Sequence, residues 1–166
     1  MRTALILTAI TALLGASAAK AGGAGWFTLT IRWLQNQGSF RLTVSPQPGG
    51  GTCAWLDASW ASGGSIVIGG CGPYTIAPDA VGVARDLLGK PRRPHQLVTY
   101  LKGPVGVDVA RLDLLFRDGR RTPLPIRHHW VLDQLDQASF TGRHQPMELI
   151  GRDANGHVLF TRHVSW

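Results

Sequence analysis

The stretch VARLDLLFRDGRRTPLPI at Val109–Ile126 decides the fold of this chain, and MELIGRDANGHVLFTRHV at Met147–Val164 repeats its layout. Each stretch has a short apolar strand, a polar turn that ends in glycine, and a second strand. The Asp-Gly pair in the first turn is among the strongest short-range signals for a hairpin. Pro123 and Pro125 cannot donate to a ladder, so the second strand of that hairpin is expected at a sheet edge. Together the two stretches predict antiparallel β-structure.

Alternating apolar and polar residues extend this pattern upstream. Phe27–Trp33 and Phe40–Val44 alternate with a period of two, which predicts two half-buried strands joined as a first hairpin. Many short strands separated by turn signals favour an all-β, antiparallel β-sandwich. Asp79–Gly89 departs from the pattern, because an aspartate at the capping position, apolar residues at helical spacing and a closing glycine are typical of a helix. We expect a short helix or an irregular loop there.

The N-terminus has the organisation of a secretory signal peptide. Arg2 supplies a positive charge, Ala4–Leu14 is an apolar run, and small residues with A-x-A spacing follow. The run is shorter than the roughly 20 residues that a membrane-spanning helix needs. We therefore expect a signal peptide at residues 1–21, a single β-sandwich domain at residues 22–166, and no transmembrane segment after cleavage. Retention of the segment as an N-terminal anchor is the alternative.

Cys53 and Cys71 are the two cysteines of the chain. In an exported protein such a pair predicts one disulfide, which stabilises the fold by about 3 kcal/mol, mainly by restricting the unfolded chain. A redox-active or metal-bound pair is the alternative, but the C-x-x-C spacing typical of redox pairs is missing. The expected role of the pair is structural.

Two segments resemble a group of small exported bacterial β-sandwich proteins with an immunoglobulin-like layout. GPVGVDVARLDLLFRDGRR at Gly103–Arg121 is similar to the group's G-x-V … V-A-x-V-x-L-x-x-x-D-G-R segment. MELIGRDANGHV at Met147–Val158 is similar to its ending, P-x-x-L-x-A-x-D-A-x-G-x-V. The resemblance implies an exported sandwich and brings no assigned catalytic activity. Pro78–Pro94 and the pair His128-His129 depart from the group's pattern.

Tryptophans and basic residues are the candidates for binding. Trp55 and Trp60, two of six tryptophans, lie between the cysteines beside polar residues. An exposed aromatic platform of this kind would stack on sugar rings or anchor a protein partner, and packing of both rings over the disulfide is the alternative. Lys90, Arg92 and Arg93 form a basic stretch in a chain of net charge +7. This charge favours anionic envelope polymers through salt-screened attraction; a merely solvated surface is the alternative.

Histidines provide the catalytic alternative. His128, His129 and His144 lie near Asp133 and Asp136, and these residue types bind zinc when three or four of them converge. Neighbouring residues of one strand point to opposite faces, so a strand would present only one of the two adjacent histidines to a shared site. The sequence has no G-x-S-x-G elbow and no H-E-x-x-H motif.

We therefore predict an exported, non-catalytic binding or interaction module that acts at the cell envelope or outside the cell, without cofactor or metal. Its partner is expected to be an anionic envelope polymer, a glycan or another exported protein. Nucleic acid is not expected, because basic and aromatic residues lie in different halves of the chain. The alternative is a small secreted hydrolase or metal-dependent enzyme that uses the His128, His129 and His144 region.

Overall fold

Twelve strands make up the part of the chain that the computed structural model describes, which comprises residues 26–32, 38–47, 50–74, 76–88, 98–135 and 145–165. The strands are β1 (Phe27–Arg32), β2 (Gly38–Pro46), β3 (Thr52–Trp60), β4 (Ser65–Gly72), β5 (Ala84–Leu88), β6 (Val98–Pro104), β7 (Arg111–Phe116), β8 (Arg121–Leu124), β9 (Ile126–Arg127), β10 (Trp130–Leu135), β11 (Pro146–Arg152) and β12 (Val158–His163). These ranges contain no helix, and their strand pairs are antiparallel. The predicted all-β, antiparallel class is confirmed.

The strands form three sheets of four strands each. The first sheet has the order β1-β2-β3-β4, the middle sheet β5-β6-β10-β9 and the third sheet β12-β11-β7-β8. The two stretches that decided the fold prediction build the third sheet as the hairpins β7–β8 and β11–β12, with β7 and β11 paired at its centre. β8 contains Pro123 and lies at an edge, as its missing backbone donor predicts.

Two apolar cores separate the sheets. The first core lies between the first and middle sheets, and Phe40, Leu42 and Tyr100 are completely buried in it. The second core lies between the middle and third sheets, around Leu101 and Leu114. Because the middle sheet is covered on both faces, its strands β6 and β10 are more continuously buried than strands with one solvated face. An immunoglobulin-like layout has two sheets, so the third sheet was not anticipated and the immunoglobulin-like assignment stays a prediction.

The short helix expected at Asp79–Gly89 is wrong for the described part of that segment. Val81 forms a β-bridge with Val105, and β5 then pairs along its length with β6. Val81 and Val83 are both buried, which is the period of two that a strand requires. Pairing with β6 satisfies the backbone of β5, and packing in the second core buries Val81 and Val83; together these outweigh a weak helical propensity. Gly89 itself lies outside the described residues.

Cys53 and Cys71 form the predicted disulfide, with their sulfurs 2.01 Å apart. They are directly paired across β3 and β4, so the bond joins neighbouring strands of one hairpin. The segment between the cysteines is therefore regular β-structure rather than an open loop.

Several predicted features fall on residues outside the described ranges and stay predictions: the signal peptide at residues 1–21, the basic residues Lys90, Arg92 and Arg93, and the acid–histidine candidates Asp136 and His144. In the ranges that are described, no helix has the length and apolar character needed to span a membrane.

Candidate binding face on the first sheet

The outer face of the first sheet, which points away from the first core, carries hydroxyl, charged and aromatic side chains. Phe40, Leu42 and Leu56 of β2 and β3 are completely buried, so the residues that alternate with them point outward. The strand register arranges these outward residues in rows across the sheet. The outer face comprises Thr28, Thr30, Ser39, Arg41, Thr43, Cys53, Trp55, Asp57, Ser59, Ser65, Val67, Gly69 and Cys71.

Trp55 is the aromatic residue of this outer face. Trp55 is 42% exposed, which is unusual for a tryptophan in an interior strand of a sheet. Thr43 and Gly69 are its direct neighbours on β2 and β4. A Cβ at Gly69 would collide with the Ala54 carbonyl oxygen and the Trp55 Cα. β4 therefore has no room for a side chain directly opposite Trp55.

Groups that donate and accept hydrogen bonds lie in the row beside Trp55. Arg41 and Asp57 are directly opposite each other on β2 and β3, and Thr30 lies opposite Arg41 on β1. Ser59 Oγ donates to Asp57 Oδ1 at 3.2 Å, which fixes the orientation of that carboxylate. Guanidinium, carboxylate and hydroxyl groups together offer both donors and acceptors to a polar ligand. The outer face therefore combines an exposed ring with hydrogen-bonding groups of opposite charge.

The disulfide lies on the same outer face as Trp55. Cys53 is two residues before Trp55 on β3, and Cys71 is two residues after Gly69 on β4. The covalent bond thus ties β3 to β4 one row from the tryptophan, where Gly69 contributes no side-chain packing. This arrangement fixes the backbone on which Trp55 is presented.

Trp60 does not join Trp55 in a platform. The two residues are five positions apart on β3, so their side chains point to opposite faces. Trp60 is only partly exposed and packs against the first core, on the face of β3 opposite the disulfide. Trp26, directly before β1, is the most exposed large apolar residue of the described chain at 76%.

The two adjacent histidines form a tight turn rather than part of a strand. His128 and His129 connect β9 to β10, and their φ angles of 51° and 59° are both left-handed. Two such residues in a two-residue hairpin loop are typical of a type I′ turn, where Asn-Gly is the usual sequence. The His128 ring stacks on Phe27 of β1 with centroids 4.9 Å apart. His129 Nδ1 is buried and has no hydrogen-bond partner among the described residues.

Asp133, the described carboxylate of the proposed histidine site, lies on the middle sheet in β10. Burial raises the pKa of Asp133, and the hydrogen bond that Oδ1 accepts from the Gln134 N–H at 3.0 Å offsets part of that rise. No group of three or more His, Cys, Asp or Glu side chains among the described residues is arranged to hold a metal ion. The described part of the histidine region therefore does not form a metal centre by itself.

Several residues of the outer face were not singled out from the sequence. Thr28, Thr30, Arg41 and Thr43 occupy the polar positions of the two alternating stretches that predicted β1 and β2. The alternation showed that they share a face. Only the register of β2 with β3 places Arg41 opposite Asp57, and register between strands is not visible in a single sequence.

The comparisons with known proteins found no relative: no family model, no curated protein and no solved structure matches the chain.

Proposed function

We propose that this protein is an exported, non-catalytic binding module that holds a glycan on the outer face of its first sheet. The observation that carries the proposal is the exposure of Trp55 beside a row of hydroxyl and charged groups. Sugar rings have apolar C–H faces and polar edges. An exposed indole suits the former, and nearby donors and acceptors suit the latter.

The charge of the outer face favours a neutral glycan over an anionic polymer at this site. Arg41 and Asp57 are directly opposite, so their charges offset each other. The basic stretch proposed for anionic polymers, Lys90, Arg92 and Arg93, lies outside the described residues. A second, anionic partner at that stretch stays a separate prediction.

The carboxylate content of the outer face supports binding rather than glycoside hydrolysis. Asp57 is its single carboxylate among the described residues, whereas most glycosidases use a pair of carboxylates across the scissile bond. Export is supported by the Cys53–Cys71 disulfide, since disulfides persist mainly in oxidising compartments.

Binding to insoluble polysaccharides tests the proposal. Purified protein is incubated with cellulose, chitin and isolated cell-wall sacculi, and the bound fraction is measured after sedimentation. We expect at least one of them to retain the protein and Trp55→Ala to weaken that retention roughly tenfold or more, as loss of a central aromatic contact does. Trp26→Ala is the matched control, because it removes an exposed tryptophan from outside β3. Failure of all three polysaccharides to retain the protein, or equal loss in both variants, would reject Trp55 as the glycan contact.

The alternative function, a small hydrolase or metal-dependent enzyme, is favoured by one observation. His128 and His129 hold an unusual backbone conformation, and such conformations cluster at functional sites. Its test is the zinc content of the purified protein. Stoichiometric zinc that is lost in a His128→Asn variant would support the enzyme and contradict the non-catalytic module.

A further inference from the structure

β4 is an edge strand without the features that usually prevent edge-to-edge association. Its sequence, SIVIGGCG, has no charged residue and no proline, and it pairs only with β3 among the described residues. Ile66 is 42% and Val67 is 60% exposed. Natural edge strands normally carry charges, prolines or bulges, because a free, flat, apolar edge is a template for another strand.

The other edges of the described sheets are blunted. β8 contains Pro123, and β9 is two residues long. β12 carries Arg162 and pairs with β11 through an irregular register, while β5 carries Arg85 and Asp86. β1 ends with the charged residue Arg32. The unprotected character of β4 is therefore specific to this edge.

The position of the disulfide shows which backbone groups of β4 point away from β3. The Cα atoms of Cys53 and Cys71 are 3.9 Å apart, which corresponds to the narrow, non-hydrogen-bonded pairs of an antiparallel ladder. Such pairs alternate with hydrogen-bonded pairs, so Ser65, Val67 and Gly69 also belong to the narrow type. These residues direct their N–H and C=O groups away from β3, toward the open edge.

We propose that a second copy of this chain pairs with β4, strand to strand and antiparallel, about a two-fold axis at Val67. In this register Val67 lies opposite Val67 of the second copy, and Ile66 lies opposite Ile68 of the second copy. The apolar residues of β4 therefore lie opposite apolar residues of the second copy on both faces of the sheet. Because β4 carries no charge, the self-pairing places no like charges opposite each other, which would destabilise a sheet.

The pairing joins two first sheets into one sheet of eight strands. In an antiparallel sheet with this axis the two outer faces lie on the same side, so both copies present Trp55 in one direction. The two tryptophans would be about 20 Å apart, from the usual strand spacing and rise per residue. This consequence rests on the proposed glycan function: one polymer chain would contact both sites, and avidity would exceed the affinity of one site.

Molar mass in solution tests the pairing without any glycan. Sedimentation equilibrium of the purified, oxidised protein over a wide concentration range is expected to show twice the monomer mass at the high end. Val67→Lys, which puts a charge on the open edge, is expected to abolish the dimer. Val158→Lys is the matched control, since Val158 is 50% exposed on the edge strand β12, and it should leave the dimer intact.

Amide hydrogen exchange provides a second measurement that needs no variant. The amides of Val67 and Gly69 face the open edge and should become more protected as protein concentration rises. A monomer at all concentrations, a dimer that survives Val67→Lys, or exchange at these amides that does not depend on concentration would each overturn the pairing. Trp55→Ala should bind glycan poorly and still dimerise, so failure of the glycan site and failure of the dimer are distinguishable.

Discussion

Cys53 and Cys71 lie directly opposite each other on β3 and β4, with their Cα atoms 3.9 Å apart, one row from Trp55 on the outer face of the first sheet. The disulfide ties β4 to β3 next to Gly69, which contributes no side-chain packing. The short Cα distance also identifies a non-hydrogen-bonded pair, and by alternation Val67 then directs its backbone N–H and C=O groups away from β3.

Removal of the disulfide should destabilise the protein and reduce glycan retention. The double substitution Cys53→Ser and Cys71→Ser is expected to lower the free energy of unfolding by about 3 kcal/mol, because the unfolded chain regains the freedom that a loop of this length loses. Urea unfolding measures the change, and wild-type protein in reductant should match the double variant. If the double variant is as stable as the oxidised wild type, the disulfide is not a structural element of this hairpin.

His129→Gly should stabilise the turn between β9 and β10. His129 has a φ of 59°, and a left-handed conformation costs a residue with a Cβ roughly 1–2 kcal/mol compared with glycine. The substitution also removes a buried Nδ1 that lacks a partner among the described residues. We expect the free energy of unfolding to rise by about 1 kcal/mol in thermal or urea unfolding.

His163→Gly is the control for this gain. His163 lies in β12, outside the left-handed region, so glycine there should lower stability by roughly 0.5–1 kcal/mol. Stabilisation by both substitutions would show that removing a histidine, rather than relieving the backbone, is responsible.

The hairpins were predictable because their signals are local. An Asp-Gly turn, two prolines and alternation within a few residues suffice to define β7, β8 and the edge position of β8. The disulfide was predictable because the chain has only two cysteines. Predicting these features does not require knowing which distant segments of the chain pair with each other.

The middle sheet and the binding face depend on distant contacts. β6 pairs with β5 on one side and with β10 on the other, and this pairing converts the segment with helical spacing around Val83 into strand structure. Likewise, Trp55 and Trp60 look equivalent in sequence, and only their place in a strand separates an outward ring from a core ring. Arg41 lies opposite Asp57 because of the register between β2 and β3, which the turn sequences do not specify.

Asp133→Asn should make the protein less sensitive to rising pH. Burial raises the pKa of Asp133 in the folded state above its unfolded value, so the folded state holds this proton more tightly. The stabilisation that Asp133 contributes is therefore fully present below its pKa in the unfolded state, about 3.9. It is lost as the pH rises through the higher pKa of Asp133 in the folded state. At neutral pH, where the wild type holds a partly buried charge, the asparagine variant should be the more stable protein.

Urea unfolding of wild type and Asp133→Asn between acidic and neutral pH checks this sign. The two proteins should have similar stability at the acidic end and diverge as the pH rises. Asp108→Asn is the control, because Asp108 is exposed and its substitution changes the net charge equally. The same divergence in the control would assign the effect to net charge, and a destabilised Asp133→Asn protein at neutral pH would contradict the burial argument.

Gly69→Ala should disrupt the presentation of Trp55. A Cβ at this position would collide with the Ala54 carbonyl oxygen and the Trp55 Cα, so β4 must move away from β3. We expect a loss of about 1–3 kcal/mol in the free energy of unfolding, as for other overpacked sites, together with weaker polysaccharide retention.

Gly70→Ala is the matched control, since a Cβ there meets no atom within 4 Å and its φ is not positive. The neighbouring substitution should be neutral or stabilise by roughly 0.4–1 kcal/mol, because it restricts the unfolded chain. Equal effects at the two glycines would mean that the close approach of β4 to Trp55 is not what positions the ring.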